Sequence, residues 1–443
     1  MTTPRRKIRM LDLMQAAKAG RGLPAEDTVS RLVGRSSASP KVYGWHVDPS
    51  VSDPSQAVTY LADAVGKTPA AMGESAFSYG SWKNAFFMPR PCMLRYDGTV
   101  AYYLNPNDYT KKLDGTPSDI ADAEFEGNAM MEWGLIWYKF TAGNTAGEGS
   151  FYVSDTQVDD SYKCWCNIDA NGDIIPHFYT AIYNGTGTSK LRSLSGAAMT
   201  AANGANTITY SQAVSRAAAN DPAGKTIWGI DLYSDWQLID ALAVLLGKSL
   251  NVQSVFGKGK AVPSESDLDT YYTGTTNDKG MFFGDTSSDD NTVKVFGMEN
   301  RWGGMFRHIS GIATAAGSAY ARVKLTYGTA DGSSVTGFAN VEPSHYINTR
   351  IALPSRSQQN NYFISKMAYG DFGMVPSVTN GSYDTYYCDG ISRWGYNETN
   401  IFAVAGNNND LADSNGVFSL DELLLSSSFW TIGAALSCKP TAS

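Results

Sequence analysis

The chain has 443 residues, 43% of them hydrophobic and 18% charged, a balance that excludes a disordered polymer and supplies ample apolar surface for a core. With 43 Gly, 25 Tyr, 18 Phe and 10 Trp beside only four His, the composition tilts toward strands and turns with a few helices. The formal net charge is −8, yet the first 35 residues hold eight Lys/Arg against three acids, so the remainder is near −13 and is a poor partner for nucleic acid.

Taken in chain order, KIRMLDLMQAAKA (7–19) places Ile8, Leu11 and Met14 along one helical face, with Gly20 and Gly22 as stop signals. A second short helix is predicted through AEDTVSRLV, with Asp27 or Thr28 as cap, before a linker over 35–42. So narrow an apolar stripe cannot fold alone, so residues 1–40 read as a basic helical attachment segment that packs on another chain or on its own copies. This stretch has no continuous apolar h-region, and no run in the chain approaches the ~20 apolar residues of a membrane span. A soluble chain without Sec export or membrane insertion is expected.

Residues 41–125 read as a small α/β unit. SDPSQAVTYLADAVG predicts a helix, with Ser52 or Asp53 as cap, Pro54 in the first turn, and Ala57, Leu61 and Val65 at near-helical spacing before Gly66. CMLRYDGTVAYYLN predicts a hairpin about Asp97-Gly98, and NDYTKKLDGT a polar loop.

From residue 126 to 443 the pattern is of strands, among them NAMMEWGLIWYKF and EGSFYVSD. Two helices are predicted in this part, AVSRAAAN and SDWQLIDALAVLLGK, the second with Trp236, Ile239, Leu242, Ala243 and Leu246 on one face. The elements together predict an α+β fold. No fixed-period repeat supports a solenoid or propeller.

Five cysteines do not make a disulfide framework, and the pair Cys164-Trp165-Cys166, on an apparent strand, lacks the further Cys or His of a tetrahedral metal set. The calcium-loop pattern Asp413, Asn415, Gly416, Phe418, Glu422 has Leu411 where its first carboxylate belongs. No metal or other cofactor is therefore expected. Acids beside aromatics occur at Glu132-Trp133, Asp235-Trp236 and Glu299 near Trp302. Asp235 reads as a helix N-terminal residue, and Glu299 as a partner for Arg301 or a backbone amide. No G-x-S-x-G, H-E-x-x-H or phosphate loop is present, so no catalytic residue is assigned and the chain reads as a non-enzyme. NRWGGMFRHISG, with Trp302, Phe306 and His308, reads as structure rather than as a ligand site, a single His being more often hydrogen-bonded structure than a ligand.

The ordered succession VYGWHVDP, AVTYLADAVGKTPA, YYLNPNDYTKKLDGT, GNAMMEWGLIWYKF, SKLRSLSG, SDWQLIDALAVLLGKSLNVQSVFGKG, TNDKGMFFG, VKVFGMENRWGGMFRHISGI, YYCDG and FWTIGAALSCK resembles tailed-phage and prophage virion proteins common in gut bacteria. The likeness covers about residues 41–440 and rests on the order and number of segments. It implies a virion protein, assembled in the bacterial cytoplasm, whose residues 126–443 form a C-type-lectin-like domain of the formylglycine-generating-enzyme kind. In relatives such domains sit at tail-fibre tips or on virion surfaces, some with retroelement-diversified C-terminal residues.

Cys388 and Cys438 do not match the activated cysteines of a formylglycine-generating enzyme, and Glu342-Pro343-Ser344 lacks the Asn of the calcium-sugar motif of animal lectins. The binding residues expected on this likeness are Trp394, Tyr396, Asn397, Asn400, Asn407, Asn408 and Asn409, flat rings interleaved with adaptable amides. The expected role is host-surface adhesion at a tail fibre or tail tip, with a cell-surface glycan or protein as ligand. A head fibre or capsid decoration and a glycan-cleaving spike are the alternatives. The N-terminal segment is expected to hold the chain to other virion proteins, and the fibre context implies a homotrimer.

Overall fold

A computed structural model describes residues 40–73, 76–198, 208–262, 264, 267, 271–314, 320–323, 350–353, 362–371, 373–392, 400–404 and 416–441. The helices predicted before residue 35, with Ile8, Leu11 and Met14, lie outside the described residues. Val42–Ser443 is one compact unit.

Three larger sheets carry the fold. A four-stranded antiparallel sheet has the order Val58–Ala62, Val42–Val47, Gly149–Ser154, Trp137–Ala142. A seven-stranded sheet runs Trp228–Ile230, Leu436–Cys438, Phe178–Ala181, Gly127–Trp133, Arg90–Arg95, Val100–Asn105, Asp108–Lys112. It draws strands from both sides of residue 125, and its second strand is the C-terminal one. The third sheet orders Arg350–Ala352, Tyr320–Val323, Phe306–Thr314, Asn400–Val404, Leu420–Leu424, Ile391–Ser392, with Ile432–Gly433 added parallel to Phe306–Thr314.

The α+β expectation is overturned: strands hold 34% of the structure and helices 10%, so the fold is predominantly β-sheet. The largest single correction lies at the helix predicted from Asp53. Asp53 does cap a turn, accepting from the amides of Ser55 (2.8 Å) and Gln56 (3.0 Å), while its carbonyl takes the Ala57 amide at 2.9 Å. The turn does not propagate, because Val58, Thr59 and Tyr60 are stiff or aromatic at χ1 and suit a pleated surface. Val58–Ala62 instead pairs with Val42–Val47, burying Val58 and Tyr60 and exposing Thr59. The segment predicted as a polar loop likewise contains an edge strand, Asp108–Lys112, anchored by the fully buried Tyr109.

The hairpin about Asp97-Gly98 forms as its dipeptide predicts. Gly98 takes a positive φ of 85°, and Asp97 Oδ1 accepts from the Thr99 amide at 2.9 Å. NAMMEWGLIWYKF breaks into two strands of different sheets, Gly127–Trp133 and Trp137–Ala142. Tyr210–Ala218 is the first predicted helix of this part, closed by a Thr209/Gln212 capping box.

The second, Tyr233–Gly247, differs from the one-faced helix expected of it, since every residue from Tyr233 to Leu246 is buried. It is the axle between the sheets. Trp45 Nε1 donates to the Ala241 carbonyl (2.9 Å) and the Tyr60 hydroxyl to the Leu245 carbonyl (2.8 Å). On other sides Trp236 Nε1 reaches the Val417 carbonyl (3.1 Å) and the Tyr233 hydroxyl the Met374 carbonyl (3.0 Å). A helix apolar all round belongs inside a protein. No helix of the described residues is long and apolar enough to cross a membrane.

Candidate functional site

Cross-strand register brings one polar group together on the central sheet. Glu132 lies directly opposite Tyr179 on one neighbouring strand and opposite Arg90 on the other, so three adjacent strands present Tyr179, Glu132 and Arg90 in a row. The buried Glu132 carboxylate accepts from the Tyr179 hydroxyl (3.0 Å) and the Tyr103 hydroxyl (3.1 Å), and pairs with Arg90 Nη2. His177 Nε2 stands 3.9 Å away. The Arg90 guanidinium lies on the Tyr103 ring, 4.2 Å from its centroid, while its side chain stays 58% exposed. Burial, with the Glu132 charge adding to it, pushes the Tyr103 phenol up to about 12, so it stays a neutral donor to the carboxylate.

Arg90 and Tyr103 form part of the wall of an open cleft of about 400 Å³, to which Lys83, Asn84, Asn107, Tyr79 and Met281 also contribute. Two further open clefts, of about 550 and 840 Å³, meet at Lys279, Phe283 and Asn291 and carry charges of both signs.

The Glu132-Trp133 adjacency of the sequence is not a contact of the two side chains. Neighbouring strand residues face opposite sides of the sheet, and the Trp133 indole points elsewhere, its Nε1 donating to Thr180 Oγ1 at 2.9 Å. Glu132 therefore does not sit in an apolar pocket made by Trp133. Among the described residues that bond to it there is no second carboxylate. Asp235 lies in the first turn of the long helix, as expected, and its Oδ1 meets Lys439 Nζ at 2.9 Å. Glu299 takes the backbone amides of Gly274 (2.8 Å) and Thr276 (3.0 Å), the second of the two partners expected for it. Arg301 pairs instead with Asp240 at 2.8 Å and lies flat on Trp236.

NRWGGMFRHISG is buried throughout its aromatic and charged positions and works as core closure. Trp302 Nε1 donates to the Gly257 carbonyl at 2.9 Å, and Arg307 reaches the Glu299 carbonyl at 3.1 Å and Asp231 at 3.4 Å. His308 Nε2 bonds the Ile208 carbonyl at 2.9 Å, and burial pulls its imidazole down to about 4.

Cys164-Trp165-Cys166 is not on a strand: Trp165–Asn167 is a short 3₁₀ turn. Cys166 packs against the Tyr138 hydroxyl (3.3 Å) and the Ser234 carbonyl (3.4 Å), and burial pushes its thiol well above the ordinary range. Such a thiol is a poor nucleophile or metal ligand. All five cysteines are buried and free. Among the described residues no group of three His, Cys, Asp or Glu is arranged to hold a metal.

In the calcium-loop pattern, Leu411, Asp413 and Asn415 lie outside the described residues. Gly416 and Phe418 give their amides to Asp389, at 2.6 and 2.9 Å, and a Cβ on Gly416 would sit 2.6 Å from that carboxylate. Glu422 is buried in the strand opposite Phe402. Asp389 was not singled out from the sequence, where its only signal is the Asp-Gly pair of YYCDG.

Of the expected binding residues, Asn400 opens the strand Asn400–Val404, opposite Thr314 and Leu424. Trp394, Tyr396, Asn397, Asn407, Asn408 and Asn409 lie outside the described residues, as does Glu342-Pro343-Ser344. A scan of protein-family models finds none that matches the chain, and a search of curated proteins finds no match.

Proposed function

We propose that the protein is a phage virion protein that binds the host surface at a tail fibre or tail tip, without a cofactor. The observation that carries this reading is the setting of Asn400–Val404. That strand is hydrogen-bonded on one side to Phe306–Thr314 and on the other to Leu420–Leu424. Trp394, Tyr396 and Asn397 precede it, and Asn407, Asn408 and Asn409 follow it. Recognition residues work best when a fixed scaffold carries the segments that hold them, and a strand paired on both sides supplies one. The neighbouring strand is itself fixed from behind by Arg307, bound to Asp231 and to the Glu299 carbonyl.

Immunogold labelling of intact particles with antibody to this chain tests the placement. Label at the tail tip or fibres supports the reading; label confined to the head replaces it with the decoration role. Release of reducing ends from host glycans by the purified protein would instead favour the glycan-cleaving spike.

A further inference from the structure

We infer that the cleft beside Arg90 binds a carboxylate-bearing saccharide, a ligand class chosen on the host-surface reading above. Among the described residues the cleft's charged lining is Lys83 and Arg90 alone, on a body whose net charge is near −13. An acidic surface repels anions except where cations are grouped. Glu132 offsets part of the Arg90 charge, so Lys83, exposed at the rim, carries the surplus.

Arg90 is held for this task. Its bonds to Glu132 and Tyr103 both run through Nη2, and the Tyr103 ring supports its flat face. Nε and Nη1, which carry no bond among the described residues, are left as separate charged donors to a carboxylate oxygen. Exposed Asn84 and Asn107 offer amides to hydroxyl groups, and Tyr79 and Met281 give an apolar wall for the C–H face of a sugar ring. A bare inorganic anion would leave that wall and those amides unused. The volume falls within the roughly 300–1,000 Å³ range of small-ligand sites.

The test is calorimetric titration of the full-length protein with galacturonic acid and glucuronic acid trisaccharides, and with their carboxyl-reduced counterparts. Saturable binding of an acidic trisaccharide, with none for its reduced form, is expected. Lys83→Ala and Arg90→Lys should each weaken it by about tenfold or more, the second because a lysine keeps the charge but cannot bond Glu132 and reach the ligand through separate planar donors. Lys83 is exposed, so its variant tests the site without disturbing the fold, and Arg90→Lys leaves Glu132 a cationic partner.

Absence of saturable binding, equal binding of the reduced sugars, or an unchanged affinity in Lys83→Ala would overturn the inference. Competition by acetate at equal concentration would also overturn it, as a site for any anion. Particle adsorption separates the two levels. Loss of adsorption in Trp394→Ala particles with no acidic-sugar binding sinks the cleft and leaves the adhesion reading. Normal adsorption in those particles with intact sugar binding does the reverse.

Discussion

Lys439 Nζ lies 2.9 Å from Asp235 Oδ1, with both side chains almost wholly buried. This pair ties the last strand of the chain to the first turn of the central helix. Burial drives the Asp235 carboxyl up, and the Lys439 charge draws it back down. Removing one member of a buried pair strands the other charge, a loss of roughly 3–5 kcal/mol. Lys439→Met should therefore lower stability by about that much in urea melts, and the double variant Lys439→Met/Asp235→Leu should recover part of it. A single variant that melts like the parent would show that the pair does not hold the two elements together.

A pH experiment isolates His308. Its Nε2–H donates to the Ile208 carbonyl, while Nδ1 has no partner among the described residues. The folded imidazole titrates near 4 against 6.5 in the unfolded chain. The unfolded state thus takes up the proton first as pH falls. The contribution is complete above pH 6.5 and is lost as pH drops toward 4, a change on the order of 3 kcal/mol. Asp389 acts in the opposite sense, because burial raises its carboxyl from 3.8 to about 7. Its contribution is complete below pH 3.8 and is lost as pH rises through 7. The two slopes oppose each other between pH 4 and 6.5, so the readout is the difference between parent and His308→Gln. That difference should rise with pH across the window and then level off; a flat difference would contradict the burial argument.

The C-terminal segment FWTIGAAL separates into core and surface. Ile432 and Leu436 are buried, as their apolar character predicts, but Phe429 is 54% exposed and does not belong to the core. Ile432→Ala should cost roughly 2–5 kcal/mol through lost contacts and a residual cavity, whereas Phe429→Ala should stay within about 0.5 kcal/mol. Equal melting temperatures for the two variants would contradict this division.

Much of the fold was legible in local patterns. Asp97-Gly98 marked its hairpin, and the long apolar run from Trp236 marked its helix, because turn chemistry and burial there agree with local preference. Ala57, Leu61 and Val65 misled, because the i, i+4 spacing of a helix can also arise in a strand that leaves a capped turn. Only pairing with Tyr43–Val47 decides between them. The row of Tyr179, Glu132 and Arg90 was not legible at all. It depends on the register of three strands separated by 42 and 47 residues, whereas the sequence shows Glu132 only beside Trp133, which faces the other side.

The N-terminal segment is expected to set assembly. The compact unit begins at Val42, so a chain starting there should fold and melt like the full protein. Loss of the basic stretch with Ile8, Leu11 and Met14 should abolish incorporation into particles and reduce the expected trimer to a monomer. Sedimentation of both forms measures this, and a full-length monomer at micromolar concentration would contradict it.

Adsorption of particles carrying single substitutions tests the adhesion reading most directly. Particles with Trp394→Ala or Tyr396→Ala should adsorb to host cells about tenfold or more slowly, as for loss of an aromatic anchor, while the purified variants melt at the parent temperature. Normal adsorption by both variants, with normal melting, would place the host-binding surface elsewhere and contradict the reading.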